Sequence, residues 1–315
     1  MHRPAVAGRR HLLIAEAVRR DARFGALCGV GAYVSWGLLP LFLKTLSGVP
    51  TVQIVAHRVL WSLLLLAAIV TAVRGWAAIR AAVTTPRSVL ALGLSAVLIA
   101  INWLVYIWAV THGHVVEASL GYFINPLVNV ALGVIVLRER LRPVQALAVA
   151  IAVVGVLVLA LSGGSAVWIS GLVALSFGIY GVVRKLVAVD ALAGLTIETA
   201  WLAPVALALL AWTAEQGTAA FGPDLRLNLL LMLAGVVTAL PLLMFAAAAR
   251  RMRYATLGLF QYVAPTLQFL EAVWLFGEPL RPVHLVTFGC IWTGCALYAA
   301  DMFRGARAPA VLATE

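Results

Sequence analysis

Apolar residues run through this chain in long stretches, separated by short polar segments that carry nearly all of its charge. A transmembrane helix needs about 20 mostly apolar residues. Ten stretches meet that requirement: 24–46, 51–73, 89–112, 115–137, 143–162, 165–183, 191–213, 227–249, 254–276 and 282–303. The connections between them are too short to fold as soluble domains. The longest, Ala214–Arg226, carries a Gly-Pro-Asp turn at 222–224. The pattern predicts an all-α integral membrane protein with ten transmembrane helices.

Composition agrees. Of 315 residues, 63% are hydrophobic and 11% are charged, against about 45–50% and about 25% in soluble proteins. The 26 Gly and ten Trp suit close helix packing and interfacial aromatic belts. Trp76, Trp168, Trp212 and Trp274 lie where such belts are expected. A formal charge of +11 would fit a nucleic-acid partner only if it built one basic face. Here the charge sits in the connections, so no nucleic-acid partner is expected. The N-terminal tail carries Arg3, Arg9, Arg10, Arg19, Arg20 and Arg23. Alternate connections carry Arg74, Arg80 and Arg87, then Arg138, Arg140 and Arg142, then Arg184 and Lys185, then Arg250, Arg251 and Arg253, and the C-terminal tail adds Arg304 and Arg307. The other side has Lys44, Arg226 and Arg281, and Arg58 lies within a span. The positive-inside rule therefore puts the tails 1–23 and 304–315 in the cytoplasm and requires an even number of spans. The basic N-terminus has no short apolar region ending in a cleavage site, so the stretch from Phe24 is expected to remain as the first span. Cys28, Cys290 and Cys295 lie inside apolar stretches without metal-ligand spacing and read as small packing residues.

The chain also matches itself. A shift of 139 residues places Pro126 on Pro265, Glu139 on Glu278, and Leu141-Arg142-Pro143-Val144 on Leu280-Arg281-Pro282-Val283. Upstream, a shift of 141 places Ser35-Trp36-Gly37 on Ser176-Phe177-Gly178 and Lys44 on Lys185. Residues 24–162 and 165–303 then form two five-helix repeats. Five is odd, so the second repeat must be inverted in the membrane. Arg138-Glu139-Arg140-Leu141-Arg142 reads as internal, and Gly277-Glu278-Pro279-Leu280-Arg281, poorer in arginine, as external. Inverted repeats are the architecture of many secondary transporters, although a duplication retained only for stability would leave the same trace.

Several motifs add a family resemblance: Trp36-Gly37-Leu38-Leu39-Pro40, Ala56-His57-Arg58, Trp61-Ser62, Asn102-Trp103, Tyr106-Ile107-Trp108-Ala109, Ser119-Leu120-Gly121-Tyr122-Phe123-Ile124-Asn125-Pro126-Leu127, Glu139-Arg140-Leu141 and Gln261-Tyr262-Val263-Ala264-Pro265-Thr266. Across residues 24–303 the chain resembles the RarD subgroup of EamA-type transporters, within the drug/metabolite transporter superfamily. The resemblance implies ten helices in two inverted repeats, residence in the bacterial inner membrane, and export of a small metabolite such as an amino acid or an amphenicol-like drug. Glu271 departs from the subgroup, where an apolar residue is expected.

The chain has no phosphate-binding GxxxxGK[ST] motif, no nucleophile–base pair and no metal-ligand spacing. His112-Gly113-His114 reads as a solvated turn. No enzyme, metal or cofactor is therefore expected. Polar residues inside spans are the informative ones, because each needs a partner or a cavity. Tyr122, Asn125 and Asn129 share one stripe of the fourth span. The 139 shift carries Tyr122 to Gln261 and Asn129 to Gln268, either side of Pro126 or Pro265. Matched helices interrupted by proline point to a substrate site, with interhelical hydrogen bonding as the alternative. Asn102, Tyr106, Trp36, Tyr180 and Tyr262 complete the candidate binding surface, which suits a small amphipathic solute. His57, Arg58, Glu198 and Glu271 are the deep ionisable groups. Arg58 could serve structure or substrate, and His57, Glu198 or Glu271 could carry a coupled proton. The rival readings are a membrane enzyme acting on lipid or isoprenoid, which would need a carboxylate or histidine cluster at one face, and a non-transporting membrane partner. Gly25 and Gly29 fit a dimer contact or internal packing equally, so the oligomeric state stays open.

Overall fold

The structure, a computed structural model, describes residues 23–138, 141–162, 166–249, 251 and 260–307, with the side chains of Asn129 and a few others outside that description. Among the described residues every regular element is helical. In chain order these are α1 (Arg23–Lys44), α2 (Thr51–Ala72), α3 (Trp76–Val83), α4 (Pro86–Thr111), α5 (Val115–Leu137), α6 (Pro143–Leu161), α7 (Val167–Leu186), α8 (Ala191–Glu215), α9 (Leu225–Ala249), α10 (Val263–Leu275) and α11 (Pro282–Arg307). Eight of them, α1, α2 and α4 to α9, are long and apolar enough to cross a membrane. The segments Val263–Leu275 and Pro282–Tyr298 are shorter apolar helices. Large apolar side chains such as Leu64, Leu147 and Val205 point outward, as lipid-facing positions do.

Eight helices follow expected spans with ends moved by a few residues, and the ninth and tenth expected spans coincide with the two shorter apolar helices. Two departures have physical causes. Trp76–Val83 was expected to be connection. It is too short to span, but Ala82 and Ile79 pack on Leu92 of α4 and Ile197 of α8, which holds the turn helical. The ninth span was expected to run unbroken over 254–276. Residues 254–259 lie outside the description, residues 261–262 form a turn, and α10 starts at Val263, just ahead of Pro265. Its last turn, Glu271–Leu275, is a π-helix closed by a bond from the Phe276 amide to the Glu271 carbonyl.

The break in α1 at Leu38 follows from Pro40. Proline has no N–H to give the carbonyl four residues earlier, so the Trp36 carbonyl is left over. The Gln268 side chain donates to it at 2.9 Å, which joins α1 to α10. Elsewhere small residues bring helices together. A side chain at Gly294 of α11 would meet the Ala148 carbonyl of α6 at 2.5 Å, and the Thr287 hydroxyl donates to the Gly155 carbonyl across the same seam. Gly235 of α9 lies against the Trp61 and Ser62 backbone of α2, and the Ser62 hydroxyl donates to its carbonyl. Apolar burial drives little association inside lipid, so such close approach and polar bonding carry the packing.

At one end of the bundle, called here the Glu278 end, the connections are tied down by side chains. Gln53 of α2 donates to the Thr218 carbonyl and accepts from the Ala220 amide, clamping the 216–224 loop. Glu278 accepts from the amides of Val115 and Val116 at 2.9 and 2.8 Å and so caps α5. Those amides have no partner within the helix, and its positive end favours a carboxylate.

The α6–α11 seam predicts a contrast on a single helix. Gly294→Ala should destabilise the protein by about 1–3 kcal/mol, because the methyl group meets a backbone oxygen that cannot move away cheaply. Gly289→Ala, with open space at its Cβ position, should be neutral or stabilising. Thermal melting of the purified variants in detergent measures both, and equal melting temperatures would contradict the packing described.

Candidate functional site

Tyr106 of α4 and Tyr122 of α5 lie at the centre of the candidate site, their rings 5.4 Å apart and edge to face. Both come from apolar helices whose inner faces bury them, Tyr106 almost completely. Asn102, one turn before Tyr106, is fully buried and pins three helices. Its amide donates to the Val173 carbonyl at 2.9 Å and to the Ser176 hydroxyl at 3.1 Å, both on α7, and its oxygen accepts from the Tyr122 hydroxyl at 3.1 Å. Two expected binding residues are thus bonded to each other.

Arg58 reaches this centre from α2. Its Nε donates to the Thr238 hydroxyl of α9 and its guanidinium lies 4.5 Å from the ring centroid of Trp103. It also lies close enough to Tyr122 and Tyr106 to interact electrostatically with both. One terminal nitrogen, Nη1, is buried without a partner. The Tyr106 hydroxyl, both amide atoms of Asn125, the Gln268 oxygen and both oxygens of Glu271 are likewise buried and unpartnered. Glu271 lies within electrostatic reach of Tyr106. A buried polar atom without a bond costs about 1–3 kcal/mol; seven such atoms lie on α2, α4, α5 and α10 at these residues, and Arg184 Nη1 on α7 is another. Pro126 lies inside α5, which stays helical through it, and Pro265 lies in the first turn of α10, which ends in a π-turn. Phe123 meets Tyr262 with ring centroids 6.4 Å apart. The 139 shift equates those same two positions.

The other expected residues divide. Trp36 packs edge to face on Tyr33 and against Phe245, and its carbonyl holds Gln268. Gln261 is part-buried in the turn before α10, and Tyr262 beside it interacts with Cys295 of α11. Asn129 lies on α5 with its side chain outside the description. His57 stacks on Phe221 of the clamped loop at 5.5 Å, with Nε2 unpartnered.

Tyr180 and Glu198 form a separate cluster. The Glu198 carboxylate lies 3.4 Å from Arg184 Nε and accepts from the Ser95 hydroxyl at 2.5 Å and the Tyr180 hydroxyl at 3.3 Å. These bonds join α4, α7 and α8. Sequence reasoning assigned Arg184 to a connection. The structure continues α7 to Leu186 and turns the guanidinium inward over Gly194, where a larger residue would collide with it. Gln53, Ser95, Thr238 and Glu278 were also missed as functional groups. A buried Gln or Ser at a span end carries no periodic signal, and Glu278 showed itself only as one member of the matched pair with Glu139. At Glu278, which lies outside the spans, burial pushes the carboxyl above its ordinary range while the two amide bonds pull it back.

Comparison with known proteins bears on what this arrangement does. Residues 23–161 match the EamA-like transporter family. Protein RarD of Salmonella typhi is 47% identical over 283 residues, covering 90% of this chain and 96% of that protein. The chloramphenicol-sensitive protein RarD of Pseudomonas aeruginosa is 37% identical over 284 residues, covering 89% and 95%. A solved crystal structure superposes with a TM-score of 0.57 at 21% identity over 90% of this chain and 99% of its own, and shares the fold.

The Glu198 cluster yields a double-variant test. Arg184→Met should cost about 3–5 kcal/mol by stranding a buried carboxylate. Adding Glu198→Gln should restore most of that loss, because no charge is then left unpaired. Additive destabilisation in melting experiments would mean that the pair contributes nothing as a pair.

Proposed function

We propose a specific cycle for this chain, which belongs to the RarD group of EamA-like transporters and is a multi-pass bacterial membrane transporter. In this reading ten spans form two inverted five-helix repeats, 24–162 and 165–303, that rock against each other in the inner membrane. Both termini are cytoplasmic. The solute is a small organic metabolite bound at mid-membrane and exported, and an ion moving down its gradient drives the cycle.

The observation that carries the reading is the set of buried, unpartnered polar atoms on the helices that carry Tyr106 and Tyr122 and on the α2 and α10 helices: Arg58 Nη1, the Asn125 amide, Gln268 Oε1 and the Tyr106 hydroxyl. Packing alone selects against such groups, whereas a solute of mixed polarity would satisfy them between aromatic faces. The Phe123–Tyr262 contact supports the repeats, since matched positions meet near an axis relating two halves. The Glu278 cap and the Glu198–Arg184 cluster supply separate ties on different helices, one releasable while the other holds. Amino acids and amphenicols are the first solutes to test, the latter because one relative is named for chloramphenicol sensitivity.

Orientation is tested by thiol labelling after the three native cysteines are replaced. A cysteine at Gln216 should react with an impermeant reagent in intact cells, and one at Gly75 should react only after lysis. The reverse pattern would place the termini outside.

The solute site is tested at Asn125, whose side chain forms no hydrogen bond. Asn125→Leu therefore removes no internal bond, and thermal stability should hold or rise. Affinity for the solute found by a melting screen of amino acids, amphenicols and other metabolites should fall about three- to tenfold, the equivalent of one hydrogen bond of about 0.5–1.5 kcal/mol. Unchanged affinity would remove Asn125 from the site.

A further inference from the structure

Three deep ionisable groups are candidates for carrying the charge that drives a transport cycle, and their surroundings differ. Glu198 already has Arg184, Ser95 and Tyr180 around it. His57 is stacked on Phe221. Glu271 is 5% exposed and has both oxygens buried without a hydrogen bond. Among the described residues no Lys, Arg or His forms an ion pair with it.

The Tyr106 hydroxyl on α4, itself buried and unpartnered, lies within electrostatic reach of Glu271. Gln268, one turn earlier on α10, gives its nitrogen to the Trp36 carbonyl and keeps its oxygen free. Glu271 also opens the π-turn, a distortion that recurs at functional sites in helices. An ionised carboxylate in hydrocarbon, with one hydroxyl near it and no cation paired to it, recovers little of its lost hydration. Arg58, the cation of this centre, is engaged by Thr238 and Trp103 and forms no ion pair with Glu271, so a positive charge from outside the chain would supply the compensation.

We infer that Glu271, with the Tyr106 hydroxyl, seats one monovalent positive charge: an alkali cation, a proton or the ammonium group of a solute. The inference rests on the proposed cycle only for the use made of that charge; the seat itself is measurable without transport. Binding there would tie α10 to α4, and through Gln268 to α1, so occupancy reports directly on how these helices sit. Other charged groups stand towards the Glu278 end: Lys44 of α1, Glu117 of α5, Glu278 and Arg281 of the loop, and His284 of α11. These would respond to pH in any variant, which makes the comparison at Glu271 itself the decisive one.

The experiment is thermal melting of the purified full chain in detergent, wild type against Glu271→Gln. Sodium, potassium or methylammonium chloride replaces choline chloride at constant ionic strength, and a separate series lowers the pH in choline chloride. At least one arm should raise the wild-type melting temperature by about 2–4 °C, the shift expected at about ten times the dissociation constant, and Glu271→Gln should not respond in that arm. A response to sodium or potassium assigns an alkali cation. One to methylammonium alone assigns an amine, and one to pH alone assigns a proton. Tyr106→Phe keeps the carboxylate and removes a hydroxyl that forms no internal hydrogen bond, and should weaken the responding ligand about three- to tenfold. Equal responses of wild type and Glu271→Gln in every arm, or none in either, would overturn the assignment. A protein that shows these shifts but moves no solute would count against the transport cycle and leave the seat intact.

Discussion

Polar groups carried into hydrocarbon have to find partners inside the bundle, because lipid offers none. Much of this molecule can be understood as the working out of that constraint. Pro40 leaves the Trp36 carbonyl without an amide, and Gln268 reaches across to supply one. Asn102 divides its amide between two groups of α7 and takes the Tyr122 hydroxyl on its oxygen. Arg58 gives its Nε to the Thr238 hydroxyl of α9. Each repair joins helices distant in sequence, so backbone satisfaction and tertiary architecture are parts of one arrangement.

The same constraint makes the exceptions informative. The Glu198 carboxylate is met by Arg184 and two hydroxyls, although Arg184 keeps one buried nitrogen without a partner. Charge is only partly met at Arg58, which has Thr238 and the face of Trp103 but one nitrogen over. It is unmet at Glu271. The gradient runs from a cluster with the character of a structural tie towards the region around Tyr106 where several polar atoms remain free. A transporter needs both kinds: ties that define each resting state, and a centre that is incomplete without its cargo.

Helix irregularity collects in the same region. Pro126 lies within α5, Pro265 follows the turn at 261–262, and the π-turn closes α10. Regular helices use up their own backbone groups and resist bending, whereas interrupted ones can change direction at low cost. The tightly packed α6–α11 pair, with Gly155 and Gly294 in its seam, is built the opposite way and suits a rigid support.

The length of the apolar stretches and the placing of the arginines were enough to establish a multi-pass helical membrane protein, because hydrocarbon thickness and burial of charge act on each segment alone. Motifs such as Ser119–Leu127 carried the family. Spacing also picked out Tyr122, Asn125 and Gln268 as inward-facing, since helical periodicity is local. Partnership was not legible. Arg58 meets Thr238 from 180 residues away, Gln53 meets Thr218 from 165 and Gln268 meets Trp36 from 232. Nothing in the local sequence of any of these marks its partner. Arg184 looked like one more basic residue in a connection until the fold turned it towards Glu198, and Glu271, already marked as a departure from the subgroup, stood beside Glu198 as a deep ionisable group until the fold paired one and left the other without a cation. Which buried groups are satisfied depends on how helices pack in three dimensions, and only the tertiary structure decided that.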